Sequence, residues 1–101
     1  MILEVALFKI SDGMAEEFEE GVRKALPLFS SAQGCIGLEL QRSIEEPLTY
    51  KLLVRWETLS DHTEGFRNSP AFQTWRSYVG HCFASAPAVD HNERICSVGK
   101  L

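Results

Sequence analysis

A chain of 101 residues, 45% hydrophobic and 24% charged, has the balance of one globular domain around a single small core. Its net charge of −4 is dispersed, and no basic run exceeds Arg23-Lys24, which excludes a nucleic-acid-binding face. No apolar stretch approaches membrane-spanning length, and Cys35, Cys82 and Cys96, odd in number and widely spaced, fit reduced thiols packed in a cytoplasmic protein rather than a disulfide framework or a zinc site.

The opening stretch Ile2 to Ile10 reads as a strand and not as a signal peptide. Glu4 interrupts it, no basic region precedes it and no small-residue cleavage site follows. Ile2, Ala6, Phe8 and Ile10 alternate with Leu3, Val5 and Leu7, so both faces of this strand ask for cover. Asp12 is placed to cap the next helix, whose acidic Glu16 and Glu17 suit a positive N-terminal end. Met14, Phe18, Val22, Ala25 and Phe29 then recur at helical spacing. Pro27 is expected to kink or end that helix, and Gly34 to close the segment.

CIGLELQRSI and TYKLLVRWE, joined by the polar, proline-containing EEPL, predict an antiparallel hairpin. Thr58 followed by Asp61 resembles a capping box, and the short helix it opens is expected to turn Leu59, His62 and Phe66 inward. Ser69-Pro70 supplies a cap and a first-turn proline for a last helix with the stripe Phe72, Trp75, Arg76, Val79 and Phe83, ending at Pro87. A final strand is predicted over Val89 to Val98, with His91 in step with Val89, Glu93 and Ile95.

Strand, helix, strand, strand, helix pair, strand is the split β-α-β order of the ferredoxin-like fold, an α+β class with helices on one face of a four-stranded antiparallel sheet. Residues 1–101 are read as one such domain. Because helices cover only one sheet face, the two-faced first strand predicts a homodimer that stacks sheet against sheet across a two-fold axis.

WETLSDH, FRNSPAFQTWR and FASAPAVDH carry a more specific likeness. A strand-ending Trp, a His-bearing helix, a Ser-Pro helix start and an aromatic last helix resemble the antibiotic biosynthesis monooxygenase family of dimeric α/β-barrel proteins, and the resemblance spans essentially the whole chain. It implies a homodimer with a pocket in each protomer between helices and sheet. It also implies one of several chemistries, among them cofactor-independent oxygenation, haem degradation and lactone isomerisation. The haem-degrading branch is disfavoured. It uses a histidine near the place of Arg76 and an asparagine in the first strand, where this chain has aliphatic residues and Phe8.

In cofactor-free oxygenation the substrate supplies the electrons: a phenol or quinol loses a proton, and its anion reduces dioxygen. The protein then needs a base, a holder for the anionic oxygen and apolar walls. His62 is the expected base and Arg76 the expected anion holder, with Trp56, Phe66, Phe72, Trp75, Phe83 and His91 around a small aromatic ligand. No flavin and no metal are expected, since His62, His81 and His91 match no short ligand motif. His81 beside Cys82 activates no thiol either, because helical neighbours do not face each other. A packed His62 bonded to a backbone carbonyl and a solvent-seeking Arg76 are the alternatives. They would leave a non-catalytic ligand-binding or dimeric interaction domain, while a proton-transfer isomerase would use the same histidine without oxygen.

Overall fold

Residue parity in the first strand decides where the helices lie. In the computed structural model, which describes residues 1–100, β1 (Ile2–Lys9) buries Glu4, Ala6 and Phe8 on one face and leaves Leu3, Val5 and Leu7 half-buried on the other. β1 is followed by α1 (Ala15–Ser30), the hairpin β2 (Cys35–Arg42) and β3 (Thr49–Trp56), a π-helical segment (Asp61–Phe66), α2 (Pro70–Val79), a 3-10 turn (Gly80–Cys82) and β4 (Ala88–Asn92). The strands form one antiparallel sheet in the order β2-β3-β1-β4, the ferredoxin-like arrangement expected of an α+β chain.

On β3, Tyr50, Leu52, Val54 and Trp56 are each no more than 1% exposed. They face α1 and α2 and join Phe8, Phe18 and Trp75 in the core. The two helices approach closely because Gly21 in α1 has no side chain. A Cβ there would stand 2.8 Å from the Tyr78 carbonyl oxygen and 2.9 Å from Val79 Cγ1. No helix among the described residues is long and apolar enough to cross a membrane.

Several expectations need correction. Asp12 does not cap α1: the chain turns through Gly13 at φ +81°, and the helix starts after Met14, which makes no side-chain cap. Pro27 neither ends nor interrupts α1, which continues to Ser30. Pro27 lies on the exposed side, where the carbonyl left without its amide partner is open to water.

Leu59 does not face inward and is 47% exposed, whereas His62 and Phe66 are buried. The segment closes with π bonding, Arg67 N–H donating to the His62 carbonyl at 3.0 Å. In such a wide turn residues four apart point the same way, and Leu59, three before His62, does not join them.

α2 stops at Val79 rather than Pro87, so Phe83 leaves the helical stripe and pairs with Ile10 as a lone bridge. β4 ends at Asn92, not Val98, because β1 has no residue left to pair beyond Ile2 and Leu3. Glu93 to Lys100 is irregular and exposed. Cys96 is accordingly exposed and not a core residue, while Cys82 is buried and Cys35 half-buried.

The capping box is formed as expected: Thr58 N–H donates to Asp61 Oδ2 and Asp61 N–H to Thr58 Oγ1, each at 3.2 Å. Asp61 in turn fills the space over Gly34, whose φ is +82° and where a Cβ would sit 2.0 Å from Asp61 Oδ2. Gly34→Ala therefore meets both an unfavourable backbone region and a clash. It is expected to lower the unfolding free energy by about 2 kcal/mol or more, read as a lower urea midpoint at unchanged slope; an unchanged midpoint would show that Asp61 swings aside freely.

Candidate active site

Glu4 on β1 and His91 on β4 are register partners, so strand alternation brings both onto the helix-covered face. His62 descends on them from the π turn. Trp56 Nε1–H donates to Glu4 Oε1 at 2.9 Å, and His62 Nε2 lies 3.3 Å from the same oxygen. On its other side His62 Nδ1 is 2.8 Å from His91 Nε2. The His62 ring stacks on the Trp56 indole, with centroids 5.4 Å apart and planes at 19°. Glu4 and His62 are only 5% and 3% exposed.

Burial dominates the electrostatics. It raises the Glu4 pKa, against the opposing Trp56 hydrogen bond and the positive charge of Arg67. It lowers His62 to about 4, with Arg67 and His91 acting in the same direction. At neutral pH His62 is therefore an uncharged imidazole, and Glu4 is the better base of the two. An ionised Glu4 accepting from Trp56 and facing His62 Nε2–H leaves the His62 Nδ1 lone pair to accept from His91 Nε2–H.

This pair closes one end of a cavity of about 320 Å³. Ala6, Phe8 and Leu52 form its floor, Phe72 and Trp75 of α2 one wall, and Phe83, Pro87 and Val89 the other. Arg67 and Arg76 also line it; both side chains belong to exposed residues, and among the described residues neither is paired with a carboxylate. Such a space fits a substituted aromatic ring, apolar along its length with polar groups at one end and cations at the rim. A larger groove of about 760 Å³ between the C-terminal end of α1 and the π segment holds neither the histidines nor the arginines.

Of the residues singled out in the sequence, His62, Arg76, Phe72, Trp75 and Phe83 line this cavity. Trp56 stands behind the wall, wholly buried, and meets the site through Glu4. Phe66 faces the other groove and packs on Phe29, Trp56 and Phe72. His91 reaches the site through His62 rather than as lining. Glu4 and Arg67 were missed. Glu4 shares the parity of Ala6 and Phe8, so an acid on an otherwise apolar buried face was the available signal; Arg67 follows a π turn that helical periodicity does not describe.

Residues 1–78 match the family described as antibiotic biosynthesis monooxygenase. The uncharacterized Bacillus subtilis protein YczJ is 42% identical over 91 residues, covering 90% of this chain and 96% of its own. A candidate antibiotic biosynthesis monooxygenase of Bordetella bronchiseptica superposes with TM-score 0.92 at 46% identity, covering 94% of this chain and 97% of that one. A mutant of SnoaB, a cofactor-independent oxygenase from Streptomyces nogalater, superposes with TM-score 0.84 at 14% identity over 98% of this chain and 97% of its own, a likeness of fold.

The depressed His62 pKa has a consequence for stability. The unfolded chain protonates this histidine near pH 6.5 and the folded chain only near 4, so the unfolded state binds the extra proton first and stability falls as pH drops through that window. The raised Glu4 pKa acts oppositely, adding stability as pH falls, but its causes do not include His62. Wild type is therefore expected to lose up to about 3 kcal/mol more than His62→Gln between pH 6.5 and 4, measured by denaturant unfolding at stepped pH. Parallel curves would contradict a buried, neutral His62.

Proposed function

The chain belongs to the antibiotic biosynthesis monooxygenase family, and on that premise we propose that it oxygenates a small phenolic or quinol-type compound without flavin or metal. One observation carries the reading: a buried carboxylate with raised pKa, backed by a neutral histidine, ends an aromatic-walled cavity rimmed by two arginines. SnoaB supports it only by showing that this scaffold hosts oxygenation without a cofactor.

In this mechanism the ring lies between Phe72, Trp75 and Phe83, and its hydroxyl meets the Glu4–His62 pair. Glu4 takes the proton, since burial makes its carboxylate a stronger base than usual. His62 holds Glu4 in place through Nε2–H, and His91, half-buried on the edge strand, donates Nε2–H to His62 Nδ1 and so fixes that tautomer. Arg76 and Arg67 hold the developing anion. The anion reduces dioxygen, a carbon–oxygen bond forms at the ring, and cleavage of the resulting O–O bond releases water. For a quinol the balance closes as quinol plus dioxygen giving hydroxyquinone plus water, with every electron supplied by the substrate.

The protein acts here as a homodimer. The half-buried row Leu3, Val5, Leu7 and Leu53, on the sheet face away from the helices, supports sheet-to-sheet packing of two copies.

Oxygen uptake across a panel of phenols and quinols tests the reading. Glu4→Gln keeps the acceptor for Trp56 but removes the base, and should lower kcat at least about 100-fold with an unchanged melting temperature. Arg76→Leu, which removes a partner of the developing charge, should mainly lower kcat. Absence of uptake across the panel defeats the proposal, and turnover that continues without oxygen would assign an isomerase instead.

A further inference from the structure

On the side of the fold away from Glu4, three donors of different chemistry converge from elements far apart in sequence. Glu17 lies in the first turn of α1, and His81 and Cys82 in the 3-10 turn after α2. Glu17 Oε2 contacts His81 Nε2, and the Cys82 thiol points at the same oxygen from 4.0 Å. One atom from each of the three lies within 4.8 Å of the others.

The two elements are fixed independently of these side chains. Ser11 N–H donates to the Cys82 carbonyl and Ala84 N–H to the Lys9 carbonyl, each at 2.8 Å, and the Ile10–Phe83 bridge lies between them. The donors are thus held by backbone that would not have to move. The nearby Lys24 ammonium is drawn over the Tyr78 ring, 4.4 Å from its centroid, and Glu20 beside the same hollow is paired with Arg23 at 3.4 Å.

We propose that Glu17, His81 and Cys82 form a binding site for a zinc-type divalent cation, which clasps the start of α1 to the turn after α2. Carboxylate, imidazole and thiolate are the donor set of a borderline-soft ion, and ligand distances of roughly 2.0–2.3 Å place the donors of one tetrahedral ion about 3.5 Å apart. Small side-chain shifts bring this set to that spacing. His81 and Glu17 are exposed and Cys82 is buried beneath them, so the fourth position opens to water. Binding displaces the Cys82 thiol proton to solvent, so that the ion is met by a thiolate. None of the three lines the aromatic cavity, so the cation is a structural clasp and takes no part in the oxygenation.

Titration of the reduced 101-residue chain with cobalt(II) is the test, because thiolate ligation gives a sulfur-to-cobalt charge-transfer band and tetrahedral geometry gives intense visible bands. One equivalent should bind, zinc should displace it, and the melting temperature should rise with zinc concentration. Substitution of the exposed ligands, His81→Gln and Glu17→Gln, should each weaken binding at least 10-fold and remove that rise, whereas Cys96→Ser should change neither. A wild-type chain without the thiolate band overturns the site. So does a band that survives both ligand substitutions or vanishes in Cys96→Ser.

Discussion

A carboxylate buried in a small core is the constraint around which the helix-covered side of this fold is arranged. Ionised Glu4 out of water is costly unless its oxygen is met by donors. The Trp56 indole supplies one, and can do so only because β3 pairs with β1 in the register that sets Trp56 beside Ile2. His62 approaches the same oxygen from above, steadied by its stacking on that indole. Strand register, the π turn and the choice of tryptophan over another large apolar residue thus serve a single group. Leucine at position 56 would fill volume but leave the acid without its donor.

Most of the architecture was legible because it is written locally. Period-two alternation in β3, the heptad-like stripe of α1, the Thr58–Asp61 pair and Pro70 at the start of α2 each name their own conformation without reference to distant residues, although Ser69 does not cap α2 as expected and turns its hydroxyl to the Phe66 carbonyl at 2.6 Å instead. Where the reading failed, something non-local decided. The end of β4 depends on where β1 begins, which no property of residues 93–98 encodes. The tolerance of Pro27 depends on which side of α1 meets water. Leu59 and Arg67 were misplaced or missed because the turn between them is π-helical, and the α period does not describe the residues at its two ends.

The candidate site divides in the same way. Its aromatic walls were readable as a helical stripe, and His62 as an odd residue on an apolar face. Glu4 was treated as an interruption of hydrophobicity, when its parity already placed it inside. The convergence of Glu17 with His81 and Cys82 had no local sign at all, since consecutive residues share a target only when the helix has ended and a tighter turn has begun.

The π turn also bears on how this scaffold could change over time. Each of its rings encloses one residue more than an α-helical ring, which widens the turn that carries His62 over Glu4. Loss of a single residue there would restore ordinary helix and narrow the turn, moving the His62 ring relative to the Glu4 carboxylate without altering the chemical identity of either. In this segment a deletion is therefore a larger functional step than most substitutions. Relatives that differ here in length, rather than in composition, are where a different chemistry on the same sheet should be sought.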